Sequence, residues 1–271
     1  MASIGLRGLL VAALCLLPAA VAAESRVVRA NGVDIAYAET GSGPPLVLIH
    51  GFGSCSEAWE PFLAELGKHF RVITMDLRGH GGSGDFRGPF QFEDSAGDLL
   101  ALLDRLGLDK VKAMGISAGG MTLLHAAARA PARIDAMAVI GAAHYFPEQA
   151  REVMRGVPGN LPAEVRQEYQ RCATRGQAQV EALLRRFNGL KDNREDIALS
   201  PAELGRIDAR TLIVHGDRDV FFPVAVPVEA YAAIRDARLW IVPGGDHVPI
   251  YGANEGVFIA TVLGFLGGLQ P

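Results

Sequence analysis

Cysteine is scarce in this chain, with three in 271 residues. That density excludes a small scaffold held together by a disulfide framework. An excess of one charge is also missing. Lys and Arg number 26 against 30 Asp and Glu, a formal charge of −4, and no basic cluster stands out. Nucleic acid and anionic membrane surfaces are therefore excluded as expected partners. Internal repeats and low-complexity tracts are lacking. Long apolar runs are rare too: Leu9–Leu17 sits within residues 1–23, preceded by Arg7 and followed by the small-residue site Ala20-Val21-Ala22. This pattern reads as a secretory signal peptide. The run is too short for a comfortable membrane span, which needs about 20 residues, and Pro18 interrupts it. The expectation is an exported protein, periplasmic or secreted, with no stable membrane anchor after cleavage. Near the other end, Val257–Leu269 is apolar but glycine-containing, and reads as a buried terminal helix.

Residues 24–271, about 248 in number, suit one domain with a substantial core. Short β-branched runs are read as strands over Arg26–Arg29, Val33–Glu39, Leu46–His50, Arg71–Asp76, Val111–Ile116, Ala136–Gly141, Thr211–His215 and Leu239–Val242. Helical patterns over Glu57–Lys68, Phe92–Leu106 and Ala118–Ala130 separate the inner ones. Nearly unbroken apolar strands alternating with helices imply an α/β fold, a mostly parallel sheet with helices on both faces. Only Ala30-Asn31-Gly32 separates the first two strands, which predicts an antiparallel hairpin at one edge. Residues 145–205 break the rhythm with polar helical pieces over Pro147–Arg155, Pro162–Ala173, Gln177–Phe187 and Pro201–Ile207. Val180, Leu183, Leu184 and Phe187 give the third piece one buried face. The segment is read as a helical lid inserted after the sixth strand.

Glycine, by contrast, is abundant at 32 residues. At that frequency the pattern Gly-x-Ser-x-Gly, here Gly115-Ile116-Ser117-Ala118-Gly119, would arise by chance in roughly one shuffled sequence in eight, so its meaning depends on context. The context is a strand before Ser117 and a helix after it. A serine at such a turn is forced into sparsely allowed backbone geometry, with the positive end of the helix behind its oxygen. It reads as a nucleophile. A hydroxyl needs a base and a partner to orient that base. Gly216-Asp217-Arg218-Asp219 and Gly244-Gly245-Asp246-His247 follow the last two strands, at the carboxyl edge where parallel sheets carry their sites. His247 is the expected base and Asp219 its partner, with Asp217 as the rival acid. His50-Gly51-Phe52-Gly53 follows the third strand, and the backbone N–H groups of Phe52 and Ala118 are the expected oxyanion donors. His50 is expected to fix this loop, Asp76 and Arg78 to pin the next turn as a structural pair, and His80 to be structural.

With these pieces in this order, the chain resembles the α/β-hydrolase fold family. The resemblance rests on His50-Gly51-Phe52-Gly53, Asp76-Leu77-Arg78-Gly79-His80-Gly81-Gly82-Ser83, the Ser117 motif, Gly216-Asp217-Arg218-Asp219 and Gly245-Asp246-His247. It implies eight strands, a cap after the sixth, a Ser-Asp-His triad, no cofactor and no metal. A serine nucleophile departs from the family's dehalogenases and epoxide hydrolases, which use aspartate. Ile116 stands where its proline-specific peptidases commonly carry Trp. The resemblance names no substrate; apolar residues at the expected site and the lack of an Arg or Lys cluster there point to hydrolysis of uncharged small or medium carboxylic esters. A carbon–carbon bond hydrolase, a lactonase, a perhydrolase and a ligand-binding receptor on the same fold stay open, as do the natural substrate and the oligomeric state. The expected pocket is apolar: Phe52, Met121, Phe146, Phe221, Phe222, Val248 and Ile250, with His144 as a polar exception. Cys55 and Cys172 are expected as two unpaired thiols. The alternative is a bridge from the second lid helix to the body, which requires Cα atoms within about 7 Å.

Overall fold

A computed structural model describes residues 24–86, 88–194 and 197–267. The signal-peptide reading falls on residues 1–23, outside the described residues. The strands are β1 (Arg26–Ala30), β2 (Val33–Thr40), β3 (Pro45–Ile49), β4 (Arg71–Met75), β5 (Val111–Ile116), β6 (Ile134–Ile140), β7 (Arg210–Gly216) and β8 (Ala237–Val242). They form one sheet in the order β1-β2-β4-β3-β5-β6-β7-β8. β1 and β2 pair antiparallel, as do β2 and β4, and every later pairing is parallel.

The period-two geometry of a strand explains why these runs are nearly all apolar: alternate residues enter opposite layers. In β3, Val47 and Ile49 join one core with Met75, Ala113 and Leu123. Leu46 and Leu48 join the other, with Trp59, Phe62, Phe258 and Val262. Helices α2 (Phe92–Arg105) and α3 (Ala118–Arg129) cover the first face. The other is covered by α1 (Glu60–Leu66), and by the last helix of the chain, Glu255–Gly267. Each fully buried Leu, Ile or Phe contributes about 1.5–3 kcal/mol, so burial in these two layers does most to hold the sheet in place.

Between β6 and β7 the chain inserts α4 (Glu148–Gly156), α5 (Ala163–Cys172), α6 (Gln177–Gly189) and α7 (Pro201–Leu204). Val180, Leu183 and Leu184 bury one face of α6 against Val157 and Tyr169. Polar ties complete the docking. Gln179 Nε2 donates to Gly79 O and Gly81 O, both at 3.0 Å. The buried Arg151 guanidinium donates to the carbonyls of Lys191 and Asn193.

Several readings need correction. Cys55 and Cys172 are not free thiols. They form a disulfide with Cα atoms 5.5 Å apart, joining α5 to the loop after β3. Residues 117 apart in sequence meet because the insertion folds back over that loop, which no local pattern encodes. Asp76 and Arg78 do not pair either. Arg78 reaches α2, bonding Asp94 Oδ2 at 2.7 Å and Asp98 Oδ1 at 2.6 Å. Asp76 instead accepts from the N–H of Ser56 and of Gly82. The helix read over Glu57–Lys68 is a 3₁₀ turn, Ser56–Trp59, followed by α1. Pro61 lies in the first turn of α1, where no intrahelical donor is needed. One further helix, α8 (Ala225–Ala233), escaped the pattern reading. It is apolar nearly all round, and Pro227 sits in its first turn.

Candidate active site

Ser117 sits where β5 turns into α3, with φ 49° and ψ −114°. Among the described residues only Asn31 shares a positive φ without being glycine. The strain is held by close packing that only glycines permit. A Cβ on Gly115 would lie 2.5 Å from the Gly119 carbonyl carbon, and one on Gly119 would lie 2.3 Å from Ile49 O. Real side chains tolerate neither approach, so both glycines of the motif are sterically required. The same packing brings the loop after β3 alongside: the Cβ position of Gly51 lies 3.5 Å from Ser117 Cβ.

His247 reaches this serine from the loop after β8. Its Nε2 lies 2.9 Å from Ser117 Oγ, and its Nδ1 lies 2.8 Å from Asp219 Oδ2. Asp219 Oδ1 accepts from the N–H of Phe221 at 2.7 Å and of Phe222 at 3.2 Å. These bonds orient the carboxylate and leave Oδ2 for the imidazole. Asp217 plays a different part, accepting from Gly244 N at 2.6 Å and so joining the two loops. Two further glycines let the histidine loop in. A Cβ on Gly141 would meet His247 O at 2.1 Å, and one on Gly216 would meet Asp246 O at 2.0 Å.

His215 was not singled out from sequence. It is fully buried, with Nδ1 3.8 Å from Asp219 Oδ2 and Nε2 bonded to Phe222 O. Burial lowers its pKa, with the Asp219 charge opposing, so it stays neutral beneath the acid. His50 accepts from Leu77 N through Nε2, while its Nδ1 lies 2.7 Å from Gly51 O, which locks the loop carrying Phe52. Burial lowers the pKa of both His50 and His80. Neither ring is hydrogen-bonded to Ser117. The N–H groups of Phe52 and Ala118 have no acceptor among the described residues. Ala118 is the first residue of α3, where helical N–H groups are free by geometry.

A cavity of about 530 Å³ opens beside Ser117 and His247. Phe52, Ala118, Met121, Phe146, Phe221, Phe222 and Val248 line it. His144 does not. Its carbonyl accepts from Leu199 N, and its ring is buried beside Tyr145 with Nε2 3.6 Å from Glu229. Ile250 is likewise displaced, into the core under the last helix. The remaining walls come from elements whose facing was not legible: Phe92 on α2, Met154 and Val157 at the end of α4, Tyr169 on α5, and Phe187 on α6. Among the described lining residues the charged side chains are Glu152 and Glu168, and none is cationic. Cys55, Glu57 and Cys172 lie close enough to suggest a metal cluster, but the disulfide removes the thiolate donors such a site would need.

Known proteins share this arrangement of chain. A family model described as alpha/beta hydrolase fold matches residues 44–197. Human serine hydrolase BPHL is 32% identical over 238 residues, covering 82% of this chain and 80% of that protein. The 2-hydroxy-6-oxo-2,4-heptadienoate hydrolase of Pseudomonas putida is 30% identical over 268 residues, covering 89% of this chain and 95% of that protein. Among solved structures, the esterase RhEst1 of Rhodococcus sp. superposes with a TM-score of 0.72 at 25% identity, covering 91% of this chain and 99% of that one.

Proposed function

The chain belongs to the α/β-hydrolase fold family, and on that premise we propose that it is an exported serine hydrolase of uncharged small or medium carboxylic esters. The observation that carries this reading is the unbroken chain Ser117–His247–Asp219 opening into a largely apolar cavity with no Arg or Lys among its described lining residues. Ser117 Oγ attacks the ester carbonyl carbon as His247 Nε2 takes the hydroxyl proton. Asp219 holds the Nδ1–H and stabilises the imidazolium. The carbonyl oxygen, now negative, accepts from the N–H groups of Phe52 and Ala118, each such donor contributing about 3–4 kcal/mol of barrier lowering. Collapse of the tetrahedral intermediate breaks the carbon–alkoxide bond, and His247 returns its proton to the leaving alcohol. Water then attacks the acyl-enzyme with His247 as base, releasing the acid and restoring Ser117.

The cavity's chemistry weighs among the alternatives. The Pseudomonas putida relative is named for a heptadienoate, a carboxylate. The walls here offer such an anion two glutamates and no arginine or lysine among the described residues, a repulsive setting in a low dielectric. Uncharged substrates fit better. Export is supported by the leader-like residues 1–23 and by a disulfide, a bond characteristic of oxidising compartments.

A panel of p-nitrophenyl esters, lactones and vinylogous diketones tests the proposal. The expected result is highest kcat/KM on acyl chains of about two to eight carbons, because each buried methylene is worth about 0.8 kcal/mol until a cavity of this class is filled. Turnover of diketones without esters would replace it with carbon–carbon hydrolysis, and preference for long-chain emulsions with lipase activity.

A further inference from the structure

One corner of the cavity is polar. Ser54, Glu168 and Tyr169 all line it. Ser54 is 7% exposed and Tyr169 4%. Ser54 Oγ has no hydrogen-bond partner among the described residues. Within the described residues the Tyr169 hydroxyl and the Glu168 carboxylate make no hydrogen bond or ion pair. Nearby cations are committed elsewhere, Arg171 to Glu57 and Arg166 to Pro158 O. A hydroxyl withdrawn from bulk solvent and left without a protein partner takes its hydrogen bond from whatever fills the cavity, water or ligand.

The three groups are held together by covalent and steric constraint. Ser54 precedes Cys55, which is bonded to Cys172. Glu168 lies one helical turn before Cys172 on α5, on the same face. The Tyr169 ring rests on Gly53, where a Cβ would approach it to 2.1 Å. Burial foremost, and then the Glu168 charge, hold the Tyr169 phenol protonated well beyond the usual tyrosine range, so it remains a donor. Glu168, Ala58 and Tyr251 also line a more open cleft with Glu57, Glu60 and Arg171. Glu168 thus borders both the cavity and that cleft, while Phe146, Phe222 and Met154 contribute apolar wall to the cavity.

We propose that Glu168, Tyr169 and Ser54 anchor a free hydroxyl on the leaving alcohol, making monoesters of short polyols the preferred substrates. The hydroxyl donates to the Glu168 carboxylate and accepts from Tyr169 or Ser54, while the acyl chain occupies the apolar wall. This rests on the ester-hydrolase reading.

The test compares propyl butyrate, 2-hydroxyethyl butyrate and butyrylcholine, which share an acyl group and differ in alcohol. The expected result is about tenfold higher kcat/KM for 2-hydroxyethyl than for propyl butyrate. That ratio should fall towards one in Glu168→Leu, which removes the acceptor, and in Tyr169→Phe, which removes a donor and keeps the ring on Gly53. A wild-type ratio near one, or a ratio unchanged in both variants, would overturn the anchor. Butyrylcholine as the best substrate would overturn it in favour of a cation site, since a quaternary ammonium donates no hydrogen bond. Thermal shift of Ser117→Ala with each ester reads the anchor without turnover. A larger shift with 2-hydroxyethyl butyrate supports it even if no ester is hydrolysed, whereas equal shifts refute it. Absence of turnover on all three refutes only the ester reading.

Discussion

Reduction of the Cys55–Cys172 bridge removes one covalent bond and leaves every side chain in place, so its effect can be worked from topology. The bridge closes a loop spanning a 117-residue separation. The chain-entropy relation for a loop of this size gives about 16 cal/mol/K, or roughly 5 kcal/mol at 25 °C. That is a ceiling, because strain and residual structure in the unfolded chain reduce it. It is large against the ~5–15 kcal/mol that stabilises a typical domain. Urea unfolding followed by fluorescence, with and without reductant, measures it. At a slope of about 2.5 kcal/mol/M, the midpoint should fall by up to about 2 M. Activity should fall before global unfolding, because α5 carries Tyr169 onto the loop of Phe52. Coincident unfolding curves, or two titratable thiols in unfolded and unreduced protein, would refute the reasoning.

Ser117→Ala and His247→Ala should each lower kcat by at least about a thousandfold while leaving the circular dichroism spectrum intact. Asp219→Asn should be severe and Asp217→Asn mild, since an asparagine Oδ1 can still accept from Gly244 N; the reverse order of kcat losses would reassign the acid. Gly119→Ala should lower Tm sharply, because its Cβ would strike Ile49 O, whereas Gly264→Ala on the last helix meets nothing within 4 Å and should be neutral or slightly stabilising. Acid should destabilise the fold through His50, His80 and His215. Their folded pKa values are lowered by burial, so below about pH 6.5 the unfolded chain binds more protons than the native one. Stability is therefore full above that pH and falls as pH drops through it, by about 1.4 kcal/mol per pH unit for each proton. A urea midpoint constant from pH 7 to pH 5 would show that these rings are not held neutral.

Much of the architecture is readable from local pattern. The hairpin of β1 and β2 follows from Asn31-Gly32, and the parallel layers follow from the apolar runs in β3 to β7. The strained turn at Ser117 is written in glycines two residues either side, because only glycine permits those backbone approaches. His247 and Asp219 are legible from their place just after strand ends. Other features depend on pairs far apart in the chain. Arg78 is two residues from Asp76, yet it bonds α2, because the loop turns it away from its neighbour. His144 stands two residues before Phe146, which lines the cavity, and its own side chain faces Glu229. The disulfide and the polar corner exist only because α5 docks across the loop after β3. Sequence by itself determined the eight strands, most of the helices, their order and the chemistry at strand ends, since these depend on spacing of two to four residues. Tertiary structure alone decided which wall each insertion residue faces and which cysteines meet, since those depend on how separate elements pack.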